Sequence, residues 1–159
     1  TVAEQRASHL ITLLHDDSLV STPSSIERDN HLRLSLHDIS LPQAGLVSPS
    51  VAHVERILTF VNRWGRSAPL VIHCLAGISR STAAAFIAAC ALNPDVEEIE
   101  IAQRIRELSP TASPNALLVD IADDLMAREG RMADAIERIG RGDYATEGTP
   151  FALPAIWEA

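Results

Sequence analysis

Cys74 and Arg80 stand six residues apart, with His73 before the cysteine, Gly77 between the two, and Ser81 after the arginine. A thiolate is a soft nucleophile. A guanidinium is a planar fork that holds two oxygens of a phosphate group and keeps its charge at any working pH. The run Leu70 to His73 reads as a short apolar strand, Cys74 to Ser79 as a tight loop, and Arg80 as the opening of a helix. Together these make an anion-binding concavity: successive backbone N–H groups point inward, and the helix dipole adds roughly half a positive charge. Gly77 sits mid-loop, where a positive φ is expected. Positive surroundings lower a thiol pKa from about 8.5 into the range of roughly 3.5–7.5, so Cys74 is expected as the thiolate. A plain core cysteine beside a surface arginine would need neither the glycine turn nor the pairing.

The chemistry such a set permits is displacement at phosphorus. Cys74 attacks in line and forms a thiophosphate intermediate. Arg80 and the N–H groups of Leu75, Ala76, Gly77, Ile78, Ser79 and Arg80 hold the equatorial oxygens, with no metal required. The leaving oxygen needs a proton, and a positioned acid is worth about 10²–10⁴ in rate. Asp38 follows a second predicted strand, and parallel strands deliver their C-terminal ends to one sheet edge, where Cys74 also lies. Asp38 is therefore the expected acid, later the base that activates water. Asp16 and Asp17, also after an apolar run, are the alternatives, and a plain turn aspartate is the competing reading of Asp38.

The elements that position these groups are read from period and punctuation. Residues 9–14 form a buried strand, 15–28 a loop or short helix, and His31–His37 a strand alternating around Leu32, Leu34 and Leu36. Ser48-Pro49 starts a helix, with Val51, Val54, Leu58 and Val61 at helical spacing and an end near Gly65. Asn93-Pro94 and Ser113-Pro114 repeat that start signal. Val96, Ile99, Ala102, Ile105 and Leu108 mark one apolar face; Leu117, Leu118, Ile121 and Leu125 mark the next. Gly130 and Gly140 bracket a last short helix with Met132, Ile136 and Ile139. The expected fold is α/β: a short central, mainly parallel sheet flanked by helices, with a mostly helical C-terminal half. Residues 1–141 form the domain, and 142–159 an extended tail packed on or near it.

His73 to Ser81 resembles the signature loop of the cysteine-dependent protein tyrosine phosphatases, the dual-specificity subgroup above all. The resemblance covers roughly residues 8 to 128. It implies that an aspartate upstream of the cysteine, after the strand matching Leu32 to Leu36, is the general acid, and Asp38 fits that place. It implies that Ser81 assists thiolate departure, that Asn115 braces the loop, and that His73 orders it by hydrogen bonding. The competing readings are a first-turn serine bonding the backbone and an asparagine at a helix cap. Classical tyrosine-specific members are longer and carry a tyrosine-recognition loop with no match here, so a shallower pocket is expected. Members acting on inositol lipids usually carry basic residues at the variable positions of the loop, and here Leu75 to Ser79 carry no lysine or second arginine.

The net charge of −8 argues against nucleic acid or anionic membrane as partners, and all of the positive charge is arginine. The expected partner is a phosphorylated protein or another phosphomonoester; oligomeric state is not legible. Two cysteines make no disulfide framework, and a thiolate nucleophile calls for a reducing compartment, so a cytoplasmic location is expected. No apolar run reaches the roughly 20 residues of a membrane span, and no signal peptide is evident. The chain begins at Thr1 without methionine, so further residues are expected to precede it. The six histidines show no metal-ligand spacing. Cys90, flanked by alanines, reads as core, with a regulatory bridge to Cys74 as the alternative. The acidic runs Asp95, Glu97, Glu98, Glu100 and Asp120, Asp123, Asp124 read as solvated faces. Other functions compatible with the set are hydrolysis of a phosphoinositide, RNA 5′-phosphate or glucan phosphate, phosphotyrosine binding without turnover, and sulfur transfer.

Overall fold

A computed structural model describes residues 2–16 and 20–158. Three parallel strands, β1 (His9–Leu14), β2 (His31–Ser35) and β3 (Leu70–His73), lie in the order β2-β1-β3. Leu10 pairs with His31 on one side and Val71 on the other, so all three C-terminal ends open onto one edge. β2 stops two residues short of the expected His37. Leu36 makes one further bond to Leu14 O, after which the His37 N–H donates to Val47 O and its ring accepts from Val47 N. That pairing closes the base of a loop holding Asp38.

Ile11, Leu13, Leu32 and Leu34 join the main core, whereas Leu10 packs with Ala7 and Ile26 in a second, smaller cluster that Val71 adjoins. The main core is completed by α1 (Val51–Arg63), α2 (Arg80–Leu92), α3 (Glu98–Leu108), α4 (Ala116–Leu125) and α5 (Arg131–Ile139). α2 is buried nearly all round from Arg80 to Cys90. Its small residues, four of them alanines among the buried set, let strands and helices approach it closely, and a helix apolar on all sides belongs at a core.

Three expected helix starts are corrected. In α1 and α4 the capping side chain follows the proline instead of preceding it, and α3 starts after Glu97 with no side-chain cap. Ser50, not Ser48, caps α1, in a reciprocal capping box with His53. Asn115, not Ser113, caps α4 by accepting from Leu118 N. Asn93 ends α2 rather than starting α3, its side-chain amide donating to Ala89 O. The α5 boundaries, Gly130 and Gly140, fall where the glycines put them, α1 ends at Arg63 near Gly65, and α2 opens at Arg80 as expected.

The expected α3 face holds in part, with Ala102 and Ile105 buried and Val96 and Ile99 packed against the core, whereas the α4 face is rotated. Ile101, Ala102 and Ile105 are buried in α3, and Leu118, Val119 and Ala122 in α4, while Leu125 is exposed. Two residues read as solvated are buried. Glu98 receives Arg128 at 2.8 Å and Arg131 at 3.2 Å. Asp123 accepts from the N–H groups of Gly130, Met132 and Ala133 and so satisfies the start of α5. A carboxylate that closes a helix N-terminus sits on the inner face of its own helix, which shifts the apolar stripe by one residue.

Candidate active site

The chain leaves β3 at His73, turns through Cys74 to Ser79 and enters α2 at Arg80. Gly77 takes φ +71°, the left-handed region expected of a mid-loop glycine. The loop's carbonyls are tied outward. Ala76 O accepts from Gly148 N at 2.7 Å, Ile78 O from Ser113 N at 2.9 Å, and Ser79 O from Asn115 N at 3.2 Å. The Thr82 hydroxyl lies within bonding distance of Ile78 O and Ser79 O from within α2. In a trans peptide the C=O and the following N–H point to opposite sides, so each outward carbonyl turns the next N–H inward. Those are the N–H groups of Gly77, Ser79 and Arg80, three of the six expected to hold an anion.

Cys74 is half-buried, with Sγ 3.2 Å from Ser81 Oγ. Burial alone pushes its thiol up. The Ser81 hydroxyl, the N–H groups of Ser81 and Gly77 and the Arg80 charge outweigh that and hold the thiol below its ordinary value. Arg80 is 6% exposed, unusual for arginine. Its Nη1 donates to Leu36 O at 2.9 Å, anchoring the guanidinium to the end of β2, while the buried Nε bonds nothing among the described residues. An anion beside Cys74 is the partner that geometry suits.

Asp38 is on the same edge. Its Oδ1 accepts from Ser79 Oγ at 2.7 Å and from Asn115 Nδ2 at 2.9 Å. Asn115 also donates to Ile39 O at 3.1 Å. Cap, acid loop and phosphate loop thus meet at one side chain. Of the alternative acids, Asp16 is engaged by the Ser35 hydroxyl at the end of β2, and Asp17 lies outside the described residues.

His73 supports the loop from behind. Its Nε2 is 2.7 Å from Thr12 Oγ1, which is 2.8 Å from His31 Nε2, and Thr22 Oγ1 meets His31 Nδ1 at 2.8 Å. A backbone hydrogen bond with Cys74 favours the charged form of the His73 ring. Burial holds His73 below its usual value against that bond, and burial with Arg33 and His73 does so for His31. Cys90 is fully buried on α2 and pushed up to about 12, chiefly by burial. Ten residues of helix place it roughly 15 Å beyond the loop, too far to bridge Cys74.

The structure therefore brings Cys74, Arg80, Asp38, Ser81, His73 and Asn115 together at one sheet edge. Leu36, Thr82, Ser113 and Gly148 are added by it, and so is the bond from the Ser79 hydroxyl to Asp38. A threonine three residues into a helix is the one local hint, since its hydroxyl commonly bonds back to the preceding turn.

The sequence profile of the protein-tyrosine phosphatase family matches residues 37–111, which hold both Asp38 and the Cys74 loop. No curated protein sequence matches the chain. Among solved structures, the human tyrosine phosphatase-like serine/threonine/tyrosine-interacting protein is 15% identical, with 80% of this chain and 82% of that one covered and a TM-score of 0.59. DUSP15 is 18% identical over 86% and 81% of the two chains, with a TM-score of 0.56. Human DUSP28 is 17% identical over 80% and 85%, with a TM-score of 0.57. The chain is thus similar in fold to these proteins along most of its length.

Proposed function

We propose, from the premise that this chain is of the cysteine-dependent protein tyrosine phosphatase superfamily and dual-specificity-like in fold, that it hydrolyses phosphomonoesters of protein tyrosine, and of serine and threonine, through a cysteinyl-phosphate. The observation that carries this reading is the Cys74 thiol held low between Ser81, Gly77 and Arg80 while Asp38 is tied to the far end of the same loop. In the first step Cys74 Sγ attacks phosphorus. The Sγ–P bond forms, the ester P–O bond breaks, and Asp38 gives its proton to the leaving oxygen. Both donors to Asp38 meet Oδ1, so Oδ2 is the oxygen that carries that proton. In the second step the Asp38 carboxylate takes a proton from water as it attacks phosphorus, and the thiolate departs with Ser81 donating to it.

A protein substrate is favoured over a polyanionic lipid. Leu75, Ala76, Ile78 and Ser79 bring no cation to the loop, and Leu75 is 73% exposed at its rim. Leu41, on the acid loop, is equally exposed, so the apolar side chains at the mouth suit a phosphotyrosine ring better than an inositol polyphosphate. One solved structure of similar fold, PTPMT1, is in complex with PI(5)P, which makes that lipid the comparison substrate. No described helix is long and apolar enough to cross a membrane.

The test is hydrolysis of para-nitrophenyl phosphate with excess chelator, comparing the wild type with Cys74→Ser. Activity that survives chelation and disappears in the variant is expected. Phosphopeptides are then compared with phosphatidylinositol 5-phosphate by kcat/KM. Wild type that binds phosphopeptide and never turns it over would assign the site to recognition instead.

A further inference from the structure

The tail after α5 is fastened at three places. Arg106 donates to Ile139 O, Gly140 O and Ala112 O at its start. Asp143 N donates to Pro110 O at 2.9 Å. At the far end the Asn93 side chain receives Trp157 N at 2.8 Å and donates to Ala155 O at 3.0 Å. Between these anchors the segment crosses the outer surface of the phosphate loop, where Gly148 N donates to Ala76 O. The approach is tight: a Cβ on Gly148 would run into the Gly77 carbonyl and touch Ala76 O. Gly142 lies against Thr111 and Ala112 in the same way. Two of the chain's seven glycines thus mark where the tail meets backbone that a side chain would push away.

The Ala76–Gly77 peptide has the tail on one side and the nucleophile on the other. Its carbonyl takes the bond from Gly148, and its N–H, across a trans unit, faces Cys74 Sγ. A donor to the carbonyl polarises the N–H and fixes the direction in which it points. We infer that Gly148 is a positioning residue: the tail holds the Ala76–Gly77 peptide so that its N–H stabilises the Cys74 thiolate and then the transferring phosphoryl group. The inference rests on the proposed cysteine chemistry for its purpose, and its geometry is independent of the substrate. The hydrogen bond that Gly77 N–H makes to the thiolate is among the causes that lower the Cys74 thiol.

The experiment reads the thiolate directly, by the pH dependence of iodoacetamide alkylation of Cys74 in the full chain. Gly148→Ala is expected to move the alkylation profile to higher pH by about half to one unit, which slows alkylation roughly three- to tenfold on its acidic limb. On para-nitrophenyl phosphate it lowers kcat several-fold with little change in KM. Tyr144→Ala, at a tail residue 95% exposed, is expected to match the wild type. An unchanged alkylation profile in Gly148→Ala overturns the inference, as does an equal shift in Tyr144→Ala. Should Gly148→Ala not fold, amide hydrogen exchange of the wild type decides. A Gly148 amide slowed at least about tenfold supports the anchor, and exchange at the unprotected rate removes it. Alkylation does not need turnover, so failure of wild type to hydrolyse any phosphoester counts against the proposed function alone.

Discussion

The side-chain amide of Asn115 donates to Asp38 Oδ1 at 2.9 Å while its main-chain N–H donates to Ser79 O at 3.2 Å. One residue at the cap of α4 therefore sets the distance between the acid loop and the end of the phosphate loop. Acid and nucleophile come from different strand ends, and Asn115 adds to the direct bond from Ser79 Oγ to Asp38 Oδ1 in holding that distance.

Asp38→Asn keeps both donors' geometry close and removes the transferable proton. Turnover of para-nitrophenyl phosphate should fall by about 10²–10⁴ while vanadate affinity stays within roughly threefold. Equal activity in the variant moves the acid to Asp16 or Asp17.

Asn115→Ala should lower kcat by about tenfold and cost about 1 kcal/mol of stability for the lost cap. The two effects separate by experiment: urea denaturation reads the cap, and kcat of the folded protein reads the placement of Asp38.

Ser81→Ala removes the hydroxyl donor to the thiolate. The charged form loses stabilisation, so the Cys74 pKa rises toward that of an ordinary thiol. Activity rises with pH as the thiolate forms. The acidic limb of the kcat/KM profile should therefore move to higher pH, and alkylation on the acidic limb of its own profile should slow by roughly three- to tenfold.

Burial pushes Cys90 to about 12, so at pH 7 one equivalent of iodoacetamide should label Cys74 and leave Cys90 untouched. Mass spectrometry of Cys74→Ser should show no label in the folded protein. A labelled Cys90 would mean that α2 opens.

Glu98 is 4% exposed and held below its usual value of 4.5: burial raises it, and Arg128 and Arg131 overcome that. A depressed folded pKa means that the unfolded chain binds more protons. The contribution is complete above pH 4.5 and is lost as pH falls through the folded value. Glu98→Ala should cost about 3 kcal/mol at pH 7, because Arg128 is left buried with only Cys90 O to bond. That is a drop in Tm of roughly 6–12 °C, read by calorimetry. The difference from the wild type should shrink in acid.

The nucleophile and its arginine were legible because every cue is local: an apolar run, a turn glycine and a helix start within a dozen residues. Period-2 leucines marked β2, and two glycines marked α5. The N-caps were displaced because a proline flanked by two capping residues, as in Ser48-Pro49-Ser50 or Ser113-Pro114-Asn115, leaves the choice to where the chain must enter the helix.

The sequence by itself determined the strand–loop–helix of Pro69 to Ala85, the α/β class and the residue types at the site, since neighbouring backbone and hydrophobic period decide these. Tertiary structure alone decided which carboxylates are buried, where Arg80 is anchored, what ties Asp38 to Ser79 and Asn115, and that the tail at Gly148 lies on the loop. Those contacts join residues as far as 77 positions apart, and their energy comes from desolvated partners that meet only when the core closes.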